Sequence, residues 1–105
     1  MSKTDQKRIF HIAQQTDLLE ARQSGHYVCD SLSSEGFIHC CLNAQLEGVI
    51  DRYYQDVTGQ VLLSLDPTLL NSELRYENTV GGIEEFPHIY GPINLDAVVF
   101  ERKFS

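Results

Sequence analysis

Phe37-Ile-His-Cys-Cys-Leu42 runs directly into Asn43-Ala-Gln-Leu-Glu-Gly-Val-Ile-Asp-Arg-Tyr53, and the change of period between the two decides the fold class. In the first segment, alternation puts Phe37, His39 and Cys41 on one face of a strand and Ile38, Cys40 and Leu42 on the other. In the second, Asn43 offers an N-cap. Leu46, Val49, Ile50 and Tyr53 follow at i, i+3, i+4 and i+7, one apolar stripe on a helix that ends near Gln55. A strand that feeds a helix without a long linker, in a chain with other segments of both kinds, predicts an α+β domain.

Working outward toward the N-terminus, Arg8-Ile-Phe-His-Ile-Ala13 is rich in strand formers, with Ile9, His11 and Ala13 opposite Phe10 and Ile12. Thr16 or Asp17 can cap a short helix through Arg22. Asp17 and Glu20 have the spacing of a capping box, and Gly25 stands where such a helix must stop. Cys29-Asp-Ser-Leu-Ser-Ser-Glu35 is small and polar, which predicts a loop or short turn. Toward the C-terminus, Val61-Leu-Leu-Ser-Leu65 reads as a buried strand closed by Asp66-Pro67, since proline cannot donate to a sheet ladder. Leu74-Arg-Tyr-Glu77 is a further strand with Arg75 and Glu77 on one face. Gly81-Gly82 marks a turn. Phe86-Pro-His-Ile-Tyr-Gly-Pro92 has two prolines and a glycine in seven residues, which predicts a rigid, shaped loop. Ala97-Val-Val-Phe-Glu-Arg-Lys103 is the last strand. The tally is about six strands and two main helices, in a single domain spanning 1–105 with residues 1–7 as a flexible tail.

Composition bounds the function. Of 105 residues, 42% are apolar and 22% charged, which suits one folded domain and not a disordered chain. Fifteen acidic against eight basic side chains give a net charge of -7, and no basic stripe offsets it, so large nucleic acids are poor partners. No apolar run has the length of a membrane span, and the polar start lacks a signal-peptide core. Three cysteines, Cys29, Cys40 and Cys41, form no disulfide framework. These features together predict a cytoplasmic protein with reduced thiols.

Three segments carry a resemblance: Glu35-Gly-Phe-Ile-His39 followed by Gln45, then Leu74-Arg-Tyr-Glu77, then Phe86-Pro-His-Ile-Tyr-Gly-Pro92. In that order and spacing they resemble the bacterial family called domain of unknown function 952, from about Ile9 to the last strand. The resemblance implies an ADP-ribosyltransferase-like fold, a split, mainly antiparallel sheet with flanking helices around a cleft that holds NAD in true transferases. It establishes no reaction, and fold alone does not license one. Two departures stand out. Cys41 occupies a position that is commonly a hydroxyl residue in the family, and Glu84 and Glu85 bring negative charge beside the cleft.

The candidate chemistry falls on seven residues. His39 and His88 can orient a ribose hydroxyl, shuttle a proton or simply satisfy buried backbone groups. Arg75 can clamp a phosphate, and Glu77 can accept from a ribose hydroxyl or steady an oxocarbenium-like ribose. Equally, the two can form a cross-strand ion pair that holds the sheet. Tyr90 can stack on a nicotinamide or purine ring, with Gly91 allowing close backbone approach, or anchor its own segment to the core. Gln45 joins the ligand-binding set through the resemblance. Glu77, His39 and His88 are thus the catalytic candidates, with Arg75, Tyr90, Gly91 and Gln45 as ligand-binding candidates. A zinc site from the cysteines and histidines is disfavoured by strand geometry and by the absence of Cys-x-x-Cys spacing. A Cys41 nucleophile assisted by His39 rests on their shared strand face. The leading expectation is a small nucleotide-like ligand of NAD or ADP-ribose type, with ADP-ribosyl transfer or NAD hydrolysis as its enzymatic form. NAD would enter as ligand or substrate, not as a required cofactor. The rival is a noncatalytic protein-interaction module that docks through residues 86–92.

Overall fold

The computed structural model describes residues 8–53, 58–78 and 84–103. The expected tail at 1–7, the Gly81-Gly82 turn and the helix end near Gln55 lie outside them. Strand β1 (Ile9–Gln14) leads into helix α1 (Gln15–Ser24), short strand β2 (His26–Tyr27) and a six-residue helix α2 (Asp30–Glu35). Strands β3 (Ile38–His39) and β4 (Cys41–Leu42) precede helix α3 (Asn43–Tyr53) and strand β5 (Gln60–Leu65). The chain then forms β6 (Glu73–Glu77), β7 (Phe86–Tyr90), β8 (Ile93–Asn94) and β9 (Val98–Lys103), with single 3-10 turns at Pro67–Leu69 and Leu95–Ala97.

The expected α+β class holds, and every strand pair is antiparallel. The expected single split sheet of about six strands with two helices does not. Among the described residues there are three sheets and three α-helices: a four-stranded sheet in the order β4-β1-β5-β9, a three-stranded sheet β3-β7-β6, and the pair β2-β8. The reason is local to Cys40. Residues 37–42 read as one strand, yet Ile38 and His39 pair with Ile89 and His88 in one sheet, while Cys41 and Leu42 pair with Phe10 and Ile9 in another. Alternation is therefore broken at the switch, and Cys40 and Cys41 are both buried.

Residues 86–90 form a central strand, not the loop that two prolines predicted. Pro87 is tolerated there because of what it faces. An antiparallel residue points its N–H and carbonyl to the same neighbour, and the Pro87 carbonyl accepts from Cys40 N at 3.0 Å. The donor Pro87 lacks would have returned to the Cys40 carbonyl, so the forfeited bond is one, at the end of the β3–β7 ladder where the chain leaves for the other sheet, and none is lost toward β6.

Strand β5 is buried along its whole length and lies between β1 and β9, as a continuous apolar run predicts for a central strand. Helix α1 starts earlier than the capping-box reading, at Gln15. Gln14 makes no side-chain cap, and Asp17 lies in the first turn, where its charge suits the helix dipole. Its end is as expected. Gly25 adopts φ 89° and donates to the Ala21 carbonyl at 2.7 Å, a conformation that costs glycine little. The polar stretch expected as a loop forms α2, closed in the same way by Gly36 at φ 90°. The core joins the sheets and helices through Ile9, Ala13, Leu18, Ala21, Tyr27, Ile38, Val61, Leu63, Leu65, Ile89 and Ile93.

Candidate functional site

Strand β7 is the spine of the site. Its register sets His88 beside His39 of β3 and beside Arg75 of β6, and Tyr90 beside Glu73. Side chains two apart share a strand face. Accordingly His88 and Tyr90 both reach Glu77: His88 Nδ1 donates to Glu77 Oε1 at 3.0 Å and the Tyr90 hydroxyl donates to the same oxygen. The His88 side chain is 2% exposed and that of Glu77 is 30% exposed, so a buried imidazole holds a carboxylate that faces outward. Glu77 Oε2 has no partner among the described residues. The hydrogen bonds from Tyr90 and His88 hold the Glu77 carboxyl below its ordinary pKa, and the same carboxylate raises that of the Tyr90 phenol.

Aromatic rings wall this carboxylate. Phe37 stacks on His88 with centroids 4.2 Å apart and planes 22° from parallel, and meets His39 edge-on at 4.9 Å. Tyr90 lies 5.4 Å from Phe37, and the Arg75 guanidinium sits over the Tyr90 ring at 4.7 Å. His39 is exposed, and its Nε2 lies 3.2 Å from both Glu35 oxygens.

Five of the seven predicted residues therefore converge: His39, Arg75, Glu77, His88 and Tyr90. The other two have structural employment. Gln45 accepts from Leu42 N and donates to the Glu85 carbonyl, each at 2.9 Å, which ties the start of α3 to the segment before β7. At Gly91, an added Cβ would fall 2.5 Å from Ser72 Oγ, so the close approach that glycine permits is to the chain itself. Arg75 does not pair with Glu77 across the face. It is bound through Nε and Nη2 to Glu73, its neighbour two residues back, at 2.8 and 3.2 Å.

The Cys41 nucleophile fails on geometry and on charge. The sheet switch at Cys40 separates Cys41 from the face of His39, and burial pushes the Cys41 thiol up to about 11, so it is not a thiolate at neutral pH. No group of three or more potential metal-ligating side chains comes together among the described residues. The expected docking loop at 86–92 is a strand over residues 86–90, with Pro87, His88 and Ile89 buried between β3 and β6, while Phe86, Tyr90 and Gly91 are half-buried and Pro92 is exposed.

Sequence reasoning missed a second buried histidine. His11 on β1 donates from Nδ1 to the His39 carbonyl at 2.6 Å, and its Nε2 lies 2.8 Å from the Tyr27 hydroxyl. A carbonyl can only accept, so Nδ1 carries the proton. Burial lowers the His11 pKa to about 4, so the ring is neutral and Nε2 accepts from Tyr27. Alternation with Ile9 and Ala13, both buried, was the signal that pointed His11 inward.

A small α+β domain with a histidine-held carboxylate in an aromatic setting is thus the class that fold and site define. The chain matches the family model described as Protein of unknown function (DUF952) over residues 12–100, and it belongs to that family. Its fold is similar to that of protein CC0527 from Caulobacter crescentus. The X-ray crystal structure of that protein aligns with a TM-score of 0.84 at 24% identity, covering 94% of this chain and 87% of that one. Its solution NMR structure aligns with a TM-score of 0.79 at 24% identity, covering 93% and 84%. No curated protein matches the chain. No helix among the described residues is long and apolar enough to cross a membrane.

Proposed function

We propose that this chain binds a small nucleotide-like ligand, of NAD or ADP-ribose type, at the Glu77 cluster. The observation that carries the reading is Glu77 itself: one carboxylate oxygen is fixed by Tyr90 and His88 while the other has no partner among the described residues. A preorganised acceptor of this kind suits a ribose hydroxyl, and it loses no rotamer freedom on binding. Arg75, stacked on Tyr90 and exposed, can turn its outer edge to a phosphate, while Tyr90 and the exposed His39 border the position of a base or nicotinamide ring.

In its enzymatic form, an ADP-ribosyltransferase-like cleft, the same carboxylate would steady positive charge on the ribose. The glycosidic C–N bond of NAD breaks, nicotinamide leaves with the bonding pair, and water or an acceptor hydroxyl adds to ribose C1′ with loss of a proton. Glu77 is suited to this role because its neighbours keep it ionised.

An amide-shift titration of the isotope-labelled protein against NAD, ADP-ribose, nicotinamide and AMP tests the reading. Saturable shifts confined to residues around 37–39, 75–77 and 88–90 are expected. Unchanged spectra at about 5 mM of every ligand, an affinity too weak to be useful, would remove it. If turnover is found, Glu77→Gln should abolish it while leaving NAD affinity within a few-fold.

A further inference from the structure

Two histidine–glutamate couples stand side by side on the three-stranded sheet, and they are built in opposite senses. Residues opposite each other in an antiparallel pair share a face, so His39 lies on the same side as His88, with ring centroids 5.4 Å apart and planes at 81°. In the couple already described, buried His88 fixes one oxygen of Glu77 and leaves the other for a ligand. In the second couple the imidazole is the group with an atom to spare. Both Glu35 oxygens are turned to His39 Nε2, each at 3.2 Å, and His39 Nδ1 has no partner among the described residues.

Local structure holds His39 in place. Glu35 is the last residue of α2, and Gly36 turns the chain at φ 90°, which brings His39, four residues on from Glu35, back beside the helix end. The His39 carbonyl accepts from buried His11 Nδ1 at 2.6 Å, so the backbone is pinned where β3 ends, and Phe37 meets the imidazole edge-on at 4.9 Å. A carboxylate can only accept. The shared proton therefore sits on Nε2, and the neutral ring presents its lone pair at Nδ1. The side chain is 47% exposed and open to water. The His39–His88 spacing and the His88–Glu77 bond put the His39 ring no more than about 10 Å from Glu77 Oε1, a gap that admits a ribose ring and a water.

We infer that His39 is the general base of this site and that Glu35 is the residue that positions it, an inference that rests on the proposed cleavage of an NAD-type ribosyl bond beside Glu77. That reaction needs a group to steady positive charge and a group to take a proton, and the two couples supply one each. As the C1′–N bond breaks, nicotinamide leaves with the bonding pair. The water oxygen bonds to C1′, and the proton that it sheds passes to His39 Nδ1. The imidazolium so formed lies against the Glu35 carboxylate, then returns its proton to solvent, which restores the neutral ring.

The test is NAD cleavage by the full chain, followed through nicotinamide release by proton NMR, with NAD binding measured separately by amide shifts. His39→Ala should lower kcat by about 100-fold while KM moves less than about threefold, and added imidazole should restore part of the lost rate. Glu35→Ala should lower kcat by about tenfold, and its ring-nitrogen spectrum should show the Nδ1–H tautomer of His39 gaining population. Glu35→Gln, whose amide oxygen still accepts from Nε2–H, should recover most of that loss. If NAD binds but the parent does not cleave it, the inference falls and the binding reading stands. If NAD does not bind, both fall. The inference is equally overturned if His39→Ala keeps the parent kcat, if its loss appears in KM alone, or if imidazole restores nothing to a variant whose spectrum is native.

Discussion

His11 and His88 are both buried histidines on strands, but they belong to different kinds of environment. His11 sits in the four-stranded sheet with each ring nitrogen bonded to a group of the protein interior, the His39 carbonyl and the Tyr27 hydroxyl. His88 sits in the three-stranded sheet and bonds outward, to a carboxylate that is 30% exposed. The first imidazole closes its own network. The second exports its hydrogen bond to the surface, where it fixes a charge. A buried histidine therefore marks a candidate site only when the partner it orients can still reach a ligand, which makes Glu77 the candidate residue and His88 the group that positions it.

The largest expected effect comes from His11→Ala. It strands the Tyr27 hydroxyl in the interior and leaves a cavity, so a loss of about 3–4 kcal/mol in urea denaturation is expected. A loss below about 1 kcal/mol would show that water replaces the imidazole and that the His11 network is not closed.

Acid comes next. The pKa of His11 falls from 6.5 to about 4 on folding, so between those values the unfolded chain binds a proton that the native state does not. The stability tied to neutral His11 is therefore complete above pH 6.5 and is lost as pH falls toward 4, by up to about 3 kcal/mol. Denaturation series at pH 7, 5.5 and 4.5 measure it, and ring-nitrogen shifts should show the Nδ1–H tautomer throughout that range. A protonated ring at pH 6 would break the comparison between the two histidines.

His88→Ala should cost less, about 2 kcal/mol, because the Glu77 carboxylate it abandons can take up water while only the packing against Phe37 is lost from the interior. Thermal melts of the two alanine variants in one buffer give the ordering directly. A larger loss for His88→Ala than for His11→Ala would reverse the assignment of which network is structural.

The smallest effects on stability fall on the candidate face. Glu77→Gln and Arg75→Ala should leave the urea midpoint close to that of the parent, since both side chains reach solvent and Arg75 is held at the surface by exposed Glu73 and the Tyr90 ring. Their effect belongs to ligand affinity or turnover. A collapse of stability in either would make the cluster a sheet fastener.

Much of the candidate site was legible because its members lie two apart on strands. Arg75 and Glu77 share a face by the pleat alone, and so do His88 and Tyr90 once 86–90 is extended. The sequence did not reveal that extension, since Pro87 opposes a central strand unless the one bond it forfeits falls at the end of a ladder, as it does opposite Cys40. Gln45 and Gly91 show the opposite failure. A polar or glycine position in a suggestive motif has a local use, bonding Leu42 and Glu85 in one case and clearing Ser72 in the other.

By itself the sequence determined the α+β class, helix α3, the buried run of β5, the glycine stop of α1 and five residues that the fold brings together around Glu77. Those follow from periodicity and backbone preference, which are written over a few consecutive residues. Only the tertiary structure decided that the chain changes sheets at Cys40, that residues 86–90 are a central strand, and that His11, Tyr27 and the His39 carbonyl meet. Each depends on the partner a strand finds, as when Ile9 pairs with Leu65 on one side and Leu42 on the other, and pairing across such separations is settled by burial and ladder bonds that no local pattern contains.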